Sequence, residues 1–183
     1  MFYSALIPVF TFIKHSGTSA GGVYTVDRVA DKIDFVHDHI CVLRSGAAGQ
    51  SQQTAHKIRY LIDSHSIEQG KLPHVLTAAR MFQKINYEKQ LQTGYIVAGW
   101  DPYRGPQVYS VNLGGATLER DFTMGGSGSG FIYGYCDANY KPNMTYEEAK
   151  NFCITAVSLA MKRDGSSGGI IRTANITEKG IEK

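Results

Sequence analysis

"MTYEEAKNFCITAVSLAMKRDGSSGGIIRTANI", residues 144–176, reads as a helix, a glycine-rich loop and a strand in immediate succession. Thr145 stands before the helical run and Glu148 three residues on, the spacing of a capping box in which each side chain satisfies the other's free backbone N–H. Phe152, Val157 and Ala160 fall on one face of the helix, which predicts that this face is buried. "DGSSGG", residues 164–169, then sets an acid, two hydroxyls and glycines side by side, and "GIIRTANI", residues 169–176, has the branched composition of a strand. Two readings of the loop stand open: a Gly/Ser turn, or a chain of hydrogen bonds from Asp164 that orients another polar group.

Upstream, the alternation in "VYTVDRVADKIDFVHDHICVLRSG", residues 23–46, predicts strands over 23–28 and 33–36 and an antiparallel return over 40–45, around the polar tip "HDH". "AAGQSQQTAHKIRYLIDSH" carries Ala48, Ala55, Ile58, Leu61 and Ile62 at helical spacing, and "PHVLTAARMFQKINYEKQ" carries Leu76, Ala79, Phe82 and Ile85. "GYIVAGW" and "QVYSVN" are strands joined by the turn "DPYRGP"; "GGATLERDFTM" is a third strand, and "FIYGYCDANY" a short helix. Clustered strands alternating with clustered helices predict α+β layers rather than a wound βαβ sheet.

The 183 residues suit one domain, with 43% apolar and 19% charged residues. A net charge of +3 without any basic run does not make a nucleic-acid footprint. Cys41, Cys136 and Cys153 are odd in number and lie in apolar contexts, so they read as buried free thiols of a reducing compartment. No Cys or His pair has the spacing of a metal site. The opening "MFYSALIPVFTFIKHSG" is too short an apolar run to span a bilayer and lacks the basic start of a secretory signal. It reads either as a buried strand or as a segment outside the domain.

Four further positions could carry chemistry. "GGSGSG", residues 125–130, has no following Lys and so is no P-loop; it is either a tight packing loop or a device that sets Ser127 beside a reacting group. Lys32 is either a solvated strand lysine or a cation that lowers the pKa of a neighbouring group. Arg44 either ends a strand at the surface or recognises an acidic side chain with its planar fork. Gly46, with the alanines after it, either closes the strand or exposes backbone N–H groups able to hold an oxyanion.

These pieces, in this order, resemble one family. "DRVADKI", "RSGAA", "IVAGWDP", "QVYSV", "GGSGSGFIYGY", "LAMKRDGSSGGIIR" and the closing "GIE" are similar to beta subunits of the 20S proteasome, above all the beta-1, caspase-like type, over about residues 21 to 182. The resemblance implies an α+β, four-layer αββα sandwich of two antiparallel sheets, the N-terminal-nucleophile hydrolase fold, with the first strand replaced or missing. It divides the chain into an atypical segment at 1–20 and a proteasome beta-type domain at 21–183.

The resemblance also implies roles. The nucleophile of active members is an N-terminal threonine whose own α-amine is the base. Lys32 matches the lysine that tunes it, Gly46 the oxyanion donor, Ser127 the serine near the amine, and Asp164 with Ser167 the acid and hydroxyl that complete the network. Arg44 and Ala48 match substrate-binding positions that favour cleavage after acidic side chains. The nucleophile itself has no match: Thr18, after Gly17, is the one candidate, and His15 or Ser16 stands where another catalytic aspartate is expected. The function implied is threonine-type endopeptidase cleavage within the core particle, or alternatively a non-catalytic structural place in its ring. The bacterial-type relatives lack an arginine pocket, so Arg44 argues against them. No cofactor and no metal are implied. Partners are other alpha and beta subunits in stacked seven-membered rings and unfolded polypeptide, without nucleic acid or membrane, in cytoplasm and nucleus.

Overall fold

The computed structural model describes residues 31–183 and the backbone of residues 7–12. Its strands fall into two antiparallel sheets. The larger contains β2 (Ile33–His37), β3 (Ile40–Gly46), β4 (Thr93–Asp101), β5 (Gly105–Val111) and β6 (Thr117–Arg120) as simple sequential neighbours. The smaller has the order β1 (Ile7–Phe12), β7 (Ile171–Thr177), β8 (Gly180–Glu182). The place of the first strand is therefore occupied: Ile7 pairs with Ile176 and Phe12 with Ile171. The strand expected at 23–28 lies outside the described residues. The short β8 was not anticipated, because three residues past a turn carry no readable alternation.

Period-two alternation divides the strands of the larger sheet between two cores. Val36, Ile40, Val42, Tyr95, Val97, Tyr109 and Val111 point to one face, where they meet Ala55, Ile58 and Ile62 of α1 (Ala48–Gln69) and Val75, Ala79, Phe82 and Ile85 of α2 (Val75–Glu88). Ile33, Cys41, Ala98 and Val108 point to the other face and pack on Ala174 and Ile176 of β7. Fully burying each large side chain here contributes roughly 1.5–3 kcal/mol. On the far side of the smaller sheet lies α4 (Tyr146–Arg163), against β1 and β7, with α3 (Tyr133–Asn139) beside it. The layers run helix, sheet, sheet, helix, as the resemblance implied.

Local chemistry accounts for the boundaries that matter to the site. The capping box forms: Glu148 N–H donates to Thr145 Oγ1, and Thr145 N–H donates to Glu148 Oε2 at 2.8 Å. Val157 and Ala160 are buried and Phe152 partly so. β3 ends and α1 begins around Gly46, whose φ of +86° and closeness to Gln92 exclude a side chain, since a Cβ would stand 2.2 Å from the Gln92 carbonyl. Ala47 N–H can then donate to that carbonyl at 3.1 Å.

Candidate functional site

α4 carries its last turn into the glycine loop, and Asp164 sits at the junction with its own N–H bonded to Ala160 O at 2.8 Å. Asp164 is buried, 8% exposed as a whole residue. Its Oδ2 accepts Ser127 Oγ–H at 2.6 Å and Ser167 Oγ–H at 2.5 Å, while Oδ1 accepts the Ser166 N–H at 3.0 Å. Ser127 arrives from 37 residues away. What lets it arrive is Gly128, where an added Cβ would lie 3.2 Å from Ala160 Cβ and 3.3 Å from Ser167 Oγ. Glycine at that point allows the loop backbone to lie on α4. Two hydroxyls that give their protons to one carboxylate keep their lone pairs for an outside donor. The cluster is thus suited to hold an amine or a water in a set orientation.

The second cluster gathers on β3. Arg44 N–H donates to Lys32 O at 3.1 Å, which fixes Lys32 beside Arg44 across the β2–β3 ladder. The Arg44 side chain is buried and each of its nitrogens is engaged. Nε–H donates to Asp34 Oδ2 in an ion pair, Nη1–H to Ser51 Oγ at 3.3 Å and Nη2–H to the Asp31 carbonyl at 2.7 Å. Ala48 opens α1, and its carbonyl accepts the Ser51 hydroxyl at 2.9 Å. Gly46 lies two residues beyond Arg44, at the end of the strand. Arg172, at the start of β7, borders this second cluster: its Nε stands 3.7 Å from Asp31 Oδ2.

The structure therefore joins Ser127, Asp164 and Ser167 directly. It gathers Lys32, Arg44, Gly46 and Ala48 along β3 and its junction with α1. Thr18, His15 and Ser16 lie outside the described residues. Asp34, Ser51, Asp31 and Arg172 were missed. Asp34 was findable: a buried arginine needs a carboxylate, and the hairpin register that sets Ile33 against Leu43 places Asp34 diagonal to Arg44.

The cysteines take no part. Burial pushes the Cys41 and Cys136 thiols up, and it raises that of Cys153 to about 12, so each stays protonated at neutral pH. Among the described residues, no helix is long and apolar enough to cross a membrane.

Comparison with known proteins bears on this geometry. A family model described as proteasome subunit matches residues 16–176. The chain is 44% identical over 164 residues to proteasome subunit beta type-6 of Dictyostelium discoideum, covering 88% of this chain and 77% of the relative. It is 42% identical to proteasome subunit beta type-6 of Arabidopsis thaliana, over 88% of this chain and 70% of that one. A probable proteasome subunit beta type-1 of Schizosaccharomyces pombe is 44% identical, over 88% and 73%.

Proposed function

This chain belongs to the proteasome subunit family as a beta-type subunit of the core particle, and from that premise we propose that it is of the beta-1, caspase-like type. In this role it packs among other alpha and beta subunits and contributes threonine-type peptide hydrolysis. The observation that carries the reading is the convergence of Ser127 and Ser167 on one buried carboxylate, Asp164. Ser166 and Ser167 on Asp164 would by themselves make an ordinary turn, but Ser127, brought from 37 residues away onto the same oxygen, adds the second hydroxyl with which a terminal amine acting as a base can be anchored.

A threonine hydroxyl oxygen attacks the scissile carbonyl carbon while its proton passes to the threonine α-amine. The Ser127–Asp164–Ser167 cluster orients that amine, and the Lys32 ammonium keeps it unprotonated by like-charge repulsion. The oxyanion that forms is held by the Gly46 N–H. The amine returns the proton to the leaving amino group, and water then releases the ester. Arg44 is the recognition residue for an acidic side chain before the cut.

A second reading, a non-catalytic ring subunit, draws on one observation: Arg44 is already committed to Asp34, Ser51 and Asp31. Intact-mass analysis of the subunit from assembled particles, with and without a peptide epoxyketone directed at terminal threonines, separates the two. The catalytic reading expects a mature chain that begins with threonine and gains the mass of one adduct. A subunit that never takes up the probe leaves the structural role.

A further inference from the structure

The Arg44–Asp34 pair has a consequence for which residues the site accepts. Arg44 is the group that would attract an acidic substrate side chain, yet it is not a free cation. Its side chain is 6% exposed, and the carboxylate in contact with it, on Asp34, is 25% exposed. A guanidinium has five N–H donors, and the three nitrogens here already serve a carboxylate, a hydroxyl and a carbonyl. Only its remaining donors can meet a ligand, and they do so from a pair whose charges cancel.

Coulomb's law decides the sign. A substrate carboxylate beside an unpaired, partly desolvated guanidinium is strongly attracted, since the effective dielectric there is well below that of water. Beside the pair, most of that attraction is offset by Asp34, and the new carboxylate must also be desolvated. A neutral amide of the same shape meets no such repulsion and can still accept from the unused N–H groups. The pair is built in: β2 holds Asp34 diagonal to Arg44 across the ladder, and Ser51 from α1 fixes the far side of the fork.

We infer that Asp34 is a specificity-determining positioning residue, which acts through Arg44 to reduce the preference for acidic side chains and admit uncharged isosteres on nearly equal terms. The inference rests on the reading of Arg44 as the recognition residue. It names the chemical class accepted: glutamate and glutamine side chains alike, rather than carboxylates alone.

The test uses assembled core particles and two peptide epoxyketones that differ only in Glu or Gln at the residue next to the electrophile. Adducts on this subunit are followed by mass spectrometry, so hydrolysis by neighbouring subunits does not enter. The wild-type subunit is expected to react with both at rates within a few-fold of each other. Asp34→Asn frees the Arg44 charge and is expected to shift the Glu/Gln rate ratio toward Glu by about tenfold. Asp34→Ser, which keeps a hydrogen-bond acceptor for Nε–H without a charge, should shift it the same way. A merely structural role for Asp34 would slow both probes together and leave the ratio unmoved. A wild-type ratio already strongly in favour of Glu, or a ratio that neither variant changes, overturns the inference and leaves the catalytic reading standing. Failure of both probes to label the wild-type subunit, when neighbouring subunits are labelled, overturns the catalytic reading and this inference with it.

Discussion

Asp101 and Asp164 are both buried carboxylates at the end of an element, and their partners differ in kind. Asp101 is fully buried at the end of β4 and accepts four donors: Tyr103 and Arg104 N–H on Oδ1, Val75 N–H and Gln107 Nε2–H on Oδ2. Three of these are backbone amides, including the first of α2, so the carboxylate braces a turn and caps a helix in one step. Burial by itself would favour the neutral acid, but the bonds from Gln107, Val75, Arg104 and Tyr103 outweigh it and hold the Asp101 pKa below the ordinary value. Asp164 accepts one backbone amide, from Ser166, on Oδ1 and two serine hydroxyls on Oδ2. A hydroxyl can rotate and retains lone pairs; an amide in a turn can do neither. The Asp101 arrangement is saturated, whereas the Asp164 arrangement ends in atoms that can engage something else.

This contrast can be broken at its strongest point first. Asp101→Ala leaves three amides and a side-chain amide of the interior without their acceptor. It is expected to cost about 3–5 kcal/mol, read as a fall in the denaturant midpoint or as failure of the subunit to enter particles. A loss below about 1 kcal/mol would show that water replaces the carboxylate and that the brace is not one. Asp164→Asn should do the reverse: stability changes by about 1 kcal/mol, while the rate of threonine-directed labelling falls about a hundredfold. Equal losses from the two substitutions in stability would erase the distinction.

Acid sharpens it further. Because the folded pKa of Asp101 lies below its unfolded value of about 3.8, its contribution is fully present above that pH and is lost as pH falls through the folded value. The wild-type chain should therefore lose more stability between neutral pH and the acid limit than Asp101→Asn does, as measured by urea unfolding at several pH values. Parallel curves would remove Asp101 from the linkage. The smallest effect belongs to a carboxylate in water: Glu88 pairs with Lys84 at 3.8 Å on the surface of α2, and Lys84→Ala should change stability by less than about 0.5 kcal/mol.

Much of the fold was legible because its signals are local. The Thr145–Glu148 box, the stripe of α2 and the alternation in β3 and β4 are each written within a dozen residues, and each reappears in place. Of the site, Asp164 and Ser167 were readable as neighbours, three positions apart. Ser127 was singled out within its glycine loop, but what it faces is given only by its hydrogen bond to Asp164. Asp34 and Ser51 went unread because neither sits in a conspicuous motif. What gives them meaning is the burial of Arg44, a property of three elements packed together.

By itself the sequence determined the kinds of element, their order and the class of layered fold, since periodicity and capping act over one or two turns of chain. Only the tertiary structure decided which charges cancel. Coulomb energy and desolvation depend on distance and burial, and those arise when β2, β3 and α1 close around one guanidinium.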